Sequence, residues 1–172
     1  AYQKGKITSK SMLKVGQKLT VWKDGGLVPG FGGYENDKGK LPSGVQLKNG
    51  TGYMVKTPGY AWGEASTIRL IQESVSRYSK RAKGEPKVHI GDISKKGGGK
   101  FPPHKSHQKG KDVDIGYVLK GDLRDETRFK NANAKNLDVD KTWKLIKAFI
   151  DSNEVKYIFM DRSIQKLLYE HA

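Results

Sequence analysis

The chain has 172 residues, a formal net charge of +15 and no cysteine. The lack of cysteine excludes disulfides, thiol nucleophiles and Cys-based zinc sites, so any metal must be held by His, Asp or Glu. No apolar run approaches the roughly 20 residues that a transmembrane helix needs, and residues 1–4 lack the apolar stretch of a signal peptide. Either the protein is cytosolic or a leader was removed before this sequence begins.

The positive charge raises nucleic acid as a first candidate partner. However, only six of the basic residues are Arg, and the Lys residues are spread along the whole chain instead of forming one stripe. Lys attracts polyanions diffusely and lacks the bidentate fork that suits phosphate or guanine. The composition therefore favours anionic polymers of a cell envelope over nucleic acid, and a basic nucleic-acid binder is kept as a minor alternative.

The N-terminal region predicts an appendage followed by a linker. Residues 12–22 form a turn and an alternating tail, and they resemble the last third of a LysM module, a small glycan-binding unit. Residues 1–24 are accordingly predicted to be a LysM C-terminal remnant or an N-terminal strand. Residues 25–43 are rich in Gly, Lys and Asp and are predicted to be a linker or loop. Residues 44–172 are predicted to be the catalytic domain.

The first elements of that domain are two strands and a helix. Residues 44–47 and 52–56 read as strands, and the Asn49-Gly50 pair between them predicts a hairpin. From Ala65 the apolar residues repeat with helical spacing, up to a stop at Gly84 and Pro86. The stripe consists of Ile68, Ile71, Val75 and Tyr78. A short strand over 87–90 should follow.

The second half predicts a long loop and two further helices. Residues 92–111 form a Gly- and Lys-rich loop, and loops of that length inside a compact domain are usually functional. A strand over 112–118 should follow. Asp138 is expected to cap the next helix, a strand is expected over 155–160, and a last helix from Arg162. The sequence has no stop signal for this helix, so we expect it to be cut short.

One segment within this loop carries the candidate chemistry. His104 and His107 stand three residues apart, directly before Asp112 and Asp114. Alternation along a strand places the two carboxylates on one face, where they repel each other unless a cation lies between them. Zinc held by His107 and Asp114 would supply that cation, and Gly110 would let the chain turn tightly enough to bring them together.

Residues 104–115 resemble the penicillin-insensitive murein endopeptidases, which belong to the wider group of lysostaphin-type, D-Ala-D-Ala and hedgehog-type zinc peptidases. Every fixed position of that family's His-x-Ser-His-Gln-x-Gly-x-Asp-Val-Asp-Ile segment is matched. Upstream, residues 91–94 and 98–99 are similar to its Gly-Asp-x-Ser and Gly-Gly runs, and residues 62–63 to its Trp-Gly. The resemblance spans roughly residues 28–172.

The resemblance implies an α+β fold, with a small antiparallel sheet flanked by helices and one Zn²⁺ at one end of the sheet. By position, His107 and Asp114 are expected to be zinc ligands and His104 a catalytic histidine that positions water. Asp112, Ser106 and Gln108 are expected to support a ligand or contact substrate. The implied activity is hydrolysis of D-alanyl bonds to meso-diaminopimelate in peptidoglycan, in the periplasm or elsewhere in the cell envelope.

The chain departs from the family at its C-terminal end. The family's third ligand and its general base come from a His-x-His pair, and no such pair occurs in these 172 residues. Three interpretations follow: the pair lies beyond Ala172, His171 acts as a ligand, or the chain is an inactive relative. His171 continues the apolar stripe of the last helix, which favours a packed histidine. A non-catalytic wall-binding protein with part of the metal site is therefore the main alternative function.

Overall fold

The computed structural model describes residues 39–83 and 86–172. The LysM-like segment lies outside the described residues. Within them the chain forms three helices and six short strands. The helices are α1 (Ala65–Arg81), α2 (Val139–Ile150) and α3 (Arg162–His171), and the strands are β1 (Lys40–Leu41), β2 (Val45–Gln46), β3 (Tyr53–Val55), β4 (Trp62–Gly63), β5 (Val88–Ile90) and β6 (Gly97–Gly98). The α+β prediction is confirmed.

The strands pair across long stretches of sequence. β1 pairs antiparallel with β6, and β2 pairs antiparallel with β4, whereas β3 and β5 are parallel. The two short antiparallel pairs agree with the expected small antiparallel sheet. The parallel β3–β5 pair is a separate two-stranded sheet that was not predicted. Because α1 connects the β3–β4 region to β5, the β3–β5 pair has the long crossover that parallel strands require.

The main core lies between α1, the β3–β5 pair and α2. The predicted stripe of α1 is buried: Ile71, Val75 and Tyr78 are at most 1% exposed. It packs with Val88 and Ile90 of β5 and with three residues of α2 (Leu145, Ala148 and Phe149). Removing this apolar surface from water is the main force that holds β5 in place, and the candidate site begins where β5 ends.

A second cluster joins α2 to α3. Ile146 and Ile150 of α2 pack with Ile164 and Leu168 of α3. Asp138 caps α2 as predicted, since its carboxylate accepts a hydrogen bond of 3.0 Å from the backbone N–H of Lys141. No helix among the described residues is long and apolar enough to cross a membrane.

The predicted hairpin over 44–56 is wrong. Residues 51–52 do turn, between the bridged residues Gly50 and Tyr53, and the side chain of Asn49 accepts a hydrogen bond from the N–H of Val55. However, β2 takes β4 as its partner and β3 takes β5. The Asn-Gly signal is local, and pairing with strands that α1 and the core bring alongside overrides it.

Two other predicted strands are also wrong. Residues 112–118 are extended and hydrogen-bond along the end of β5, with Asp114 O accepting from Gly91 N at 2.7 Å, but Ile90↔Ile115 is their single bridge to it. Residues 155–160 form no strand. Their apolar side chains at Ile158 and Met160 pack against the α2–α3 cluster, which explains their strand-like composition.

The predicted loop over 92–111 is confirmed apart from β6. β6 pairs with β1, and β1 lies within the stretch 25–43 that was predicted to be a linker. Residues 25–38 lie outside the described part of the chain. The proposed division into appendage, linker and catalytic domain therefore stays a prediction.

Candidate metal centre

The loop between β5 and the 112–118 segment is held in shape by its own backbone. The N–H of Gly99 lies 2.6 Å from the carbonyl of Gly39 and 2.9 Å from that of Gln108. A Cβ at Gly98 would stand 2.4 Å from the same Gln108 carbonyl, and Gly98 has a φ of +76°. Only glycine permits this conformation together with such a close approach. The two ends of the loop are thereby drawn together, and the histidines lie on the second half.

His107 is fixed by two hydrogen bonds. Its ring Nδ1 donates to the carbonyl of Ile93 at 3.0 Å, and its backbone N–H donates to the Asp112 carboxylate at 3.2 Å. The side chain is only 8% exposed. With Nδ1 carrying the proton, Nε2 keeps the lone pair, which is the tautomer that a metal ligand needs.

The backbone of His107 is in the left-handed region, with a φ of +58°. A residue other than glycine pays about 1–3 kcal/mol for such a conformation, and it persists only where the surroundings fix it. The hydrogen bonds to Ile93 and Asp112 supply that constraint.

Asp114 faces the free nitrogen of His107. Its Oδ1 lies 3.4 Å from His107 Nε2. Asp112, which shares the predicted strand face, instead accepts the backbone N–H of His107. The supporting role of Asp112 toward a metal ligand stays a prediction. Val113 and Ile115 pack against the main core instead.

Charge interactions shift the pKa values of both groups. Burial alone lowers the pKa of His107, but Asp114 and Asp112 outweigh it, so the pKa lies above its ordinary value. Burial alone raises the pKa of Asp114, but His107, His104 and Lys56 outweigh it and hold that pKa below its ordinary value. Asp114 is therefore a carboxylate at neutral pH, the form that binds a cation.

His104 pairs with a second carboxylate. Its Nε2 lies 3.1 Å from Oδ2 of Asp92, the second residue after β5, and both side chains are about one-fifth exposed. If Nε2 donates its proton to Asp92, the lone pair resides on Nδ1. The two histidines are thus oriented through opposite nitrogens, His107 by a carbonyl and His104 by a carboxylate.

A row of rings leads from the surface to these histidines. Tyr60 contacts Phe101, Phe101 contacts His104, and His104 contacts His107, with centroid separations of 4.7, 4.9 and 4.4 Å. Phe101 is buried, whereas Tyr60 is 42% exposed. Tilted aromatic contacts at these distances are favourable, so the row packs the imidazoles on one side and leaves the Asp114 side accessible.

The three side chains form a group that could hold a metal ion. One ligand atom each from His104, His107 and Asp114 lies within 4.8 Å of the others. Two ligands of a tetrahedral zinc ion stand roughly 3.4 Å apart at ordinary Zn–N and Zn–O bond lengths, which agrees with the 3.4 Å between His107 Nε2 and Asp114 Oδ1. The nitrogen and oxygen donors, and the fixed tautomer of His107, fit such an ion.

Two other predicted site residues, Ser106 and Gln108, do not contact the three-residue group through hydrogen bonds. Ser106 is half-buried in the turn between the histidines, and the Gln108 side chain donates to the carbonyl of Lys105. Neither hydrogen-bonds to the three-residue group within the described part of the chain.

His171 lies at the end of α3, 3.7 Å from Asp140, with its side chain 38% exposed. The prediction of a packed histidine is therefore wrong, and His171 does not belong to the group.

Sequence reasoning missed the function of Asp92. The residue was recognised as part of a Gly-Asp-x-Ser run, but that run gives no indication of a partner twelve positions away. Its position in the loop that begins at the end of a buried strand was the available signal, because functional residues are often on loops that a rigid scaffold positions. The carbonyl of Ile93, which orients His107, carries no sequence signal at all.

Two glycines set the position of the site against β4. A Cβ at Gly110 would stand 2.6 Å from Cα of Gly63, and Gly110 has a φ of +68°. The Gly110 carbonyl accepts the N–H of Glu64 at 3.0 Å. The predicted turn at Gly110 is confirmed, and its second role is to let two backbones touch.

Fold and site together define an α+β protein with a histidine–carboxylate group suited to a divalent cation. A comparison with known protein families matches residues 32–172 to the penicillin-insensitive murein endopeptidases. The chain belongs to this family, so it is a peptidase of the peptidoglycan-hydrolysing kind, and membership indicates a place at the cell envelope. No curated protein matches the sequence.

Replacing Gly110 by Ala should disturb the site through its backbone. The new Cβ meets Gly63 and the positive φ is strained, so we expect a loss of about 2 kcal/mol or more in the free energy of unfolding. Urea denaturation measures this loss. Gly59→Ala is the matched control, because a Cβ there meets nothing within 4 Å. Equal stability of the two variants would contradict the close contact.

Proposed function

We propose that the protein is a zinc-dependent endopeptidase that hydrolyses D-alanyl cross-bridges to meso-diaminopimelate in peptidoglycan. The observation that carries the proposal is the His104–His107–Asp114 group, found in a chain of the murein endopeptidase family. His107 and Asp114 would hold the metal, and His104 would act on the reacting groups beside it. Family resemblance supports the bond cleaved and a periplasmic or envelope location.

The residues of this chain prepare the site for hydrolysis. A bound zinc ion would supply Lewis-acid polarisation of the peptide carbonyl and an acidified water. His107 keeps its Nε2 lone pair directed at the site because Ile93 binds its Nδ1 proton. Asp92 holds the proton on His104 Nε2, which leaves Nδ1 able to take a proton from water or substrate. Burial of the His107 imidazole limits competition from solvent at that ligand.

A second candidate function is non-catalytic binding of the cell wall. It would need only the three-residue metal group and the positive net charge, without a catalytic base. Such a protein would bind peptidoglycan and metal but release no peptides. Digestion of murein by the full-length protein therefore distinguishes the two candidates.

Replacing His107 by Ala should abolish both metal binding and digestion. Changes in residues that merely support a ligand cost about 10–100-fold in metal affinity, so loss of a ligand should cost more than about 100-fold. Metal analysis after dialysis, zinc titration and release of soluble peptides from purified murein measure the two effects. Chelation of the wild-type protein should stop digestion, and zinc should restore it.

His171→Ala is the matched control for this substitution, since it removes an exposed imidazole that lies outside the group. It should retain wild-type zinc affinity and digestion. Undiminished digestion by the His107 variant would refute the ligand assignment. Zinc binding by the wild type without any release of peptides would favour the non-catalytic wall binder.

Replacing Asp92 by Ala should slow turnover while leaving zinc bound. His104 would lose the carboxylate that orients its ring, and a fall of about 10–100-fold in kcat is expected from the loss of such a partner. The steady-state rate on murein and the zinc content measure this. Asp122→Ala, which removes an exposed carboxylate on the 121–123 turn, should behave as wild type. Loss of zinc together with activity would make Asp92 part of the metal site instead.

The net charge of +15 should help to retain the protein on the cell wall. We expect anionic envelope polymers to hold the protein by diffuse attraction, which salt screens over about 10 Å at 0.1 M. The amount of protein that sediments with purified cell walls should therefore fall between low and high salt. Walls stripped of anionic polymers are the control, and retention independent of salt would contradict the proposal.

A further inference from the structure

An aromatic ring lies on a floor of two glycines beside Asp114. A Cβ at Gly91 would meet the tip of the Phe129 ring at 2.8 Å, and a Cβ at Gly116 would meet its edge at 3.2 Å. The ring can lie this close to the backbone only because both positions lack a side chain. Phe129 belongs to the long segment between Leu119 and Leu137, so this contact anchors that segment next to the site.

The ring is adjacent to the carboxylate end of the metal group. The same Cβ at Gly91 would stand 3.0 Å from Cβ of Asp114, so Phe129 and Asp114 flank Gly91 closely. Gly91 also donates its N–H to the carbonyl of Asp114 at 2.7 Å. A side chain held by Phe129 therefore lies at the edge of the site.

Lys56 occupies that place. Its ammonium nitrogen lies 4.8 Å from the centroid of the Phe129 ring, within the range of a cation–π contact. Its backbone N–H donates to the carbonyl of Ile90 at 2.8 Å. Because Ile90 directly precedes Gly91, this bond fixes the backbone of Lys56 beside the site. The positive charge of Lys56 also contributes to the low pKa of Asp114.

Lys56 has no carboxylate partner among residues 39–83 and 86–172, unlike other cations of this region. Arg128 and Lys130, which flank Phe129, both pair with Glu126, at 3.2 and 3.4 Å. Those ion pairs connect residues on both sides of Phe129 and neutralise the charges of Arg128 and Lys130 locally. Lys56 is exposed and is steadied by a neutral ring, so its ammonium group can take an anion from solution.

We propose that Lys56, presented by Phe129, binds a carboxylate of the substrate next to the bond that is cleaved. This inference rests on the proposed function. When D-alanine is joined to the amine on the D-centre of meso-diaminopimelate, the carboxylate on that same carbon stays free. That carboxylate is two bonds from the amide nitrogen, so it enters the site together with the scissile bond. Lys56 thus selects diaminopimelate with a free carboxylate over its amidated form.

Two synthetic cross-link peptides test the assignment, one with this carboxylate free and the other with a carboxamide in its place. The wild-type protein should prefer the free carboxylate about fivefold, the size expected of a partly exposed ion pair. Lys56→Met, which keeps the length of the side chain and removes its charge, should bring the ratio of kcat/KM close to one. Phe129→Leu should reduce the ratio as well, because the ammonium group loses its support.

Lys48→Met is the matched control, since Lys48 lies with Lys80 in a separate depression, and it should keep the wild-type ratio. The same ratios are measured as binding affinities by calorimetry, with circular dichroism as a check of folding. An unchanged ratio in Lys56→Met would overturn the role of Lys56. Selective binding without cleavage would overturn the proposed endopeptidase and leave Lys56 supported, whereas binding of neither peptide would overturn both.

Discussion

The site depends on the hydrogen bond from His107 Nδ1 to the carbonyl of Ile93. The bond selects one tautomer, so that the opposite nitrogen faces Asp114 with its lone pair free. It also connects the metal loop to the residues that follow β5, and β5 is fixed by the core packing of α1 and α2. Through this bond, core packing that lies away from the site fixes the orientation of one imidazole. The strained backbone of His107 is tolerated because this bond and the Asp112 carboxylate hold it.

Helices and site residues were predictable from the sequence to different degrees and for different reasons. The apolar stripe of α1 and the Asp138 cap of α2 depend on residues only a few positions apart. Local sequence patterns therefore predicted both helices. The predicted strands over 44–47, 52–56 and 87–90 contain β2, β3 and β5. Their pairing was mistaken, because partners such as β2 and β4 are chosen by the tertiary fold. Composition alone could not distinguish the packed segment 155–160 from a strand.

The candidate metal group was predictable because its spacing is short and distinctive. His104, His107 and Asp114 fall within eleven consecutive positions, and the structure brings all three together. Asp92 was not predictable as the partner of His104, since the pairing requires the loop to fold back on the end of β5. Nor could Lys56 and Phe129 be associated with the site, because 72 intervening positions separate them and only the glycine floor brings them together.

The double hydrogen bond at Gly99 bears on where this protein can be shortened. Its N–H is shared by Gly39 and Gln108, so the strand β1 is joined to the same loop that presents His107. An expression boundary drawn just before residue 44, where the glycine-rich stretch ends, would delete β1 and leave β6 without its partner. The loop would then have one fewer anchor at its narrow end. A minimal fragment that keeps both of these anchors must therefore include Gly39 and β1.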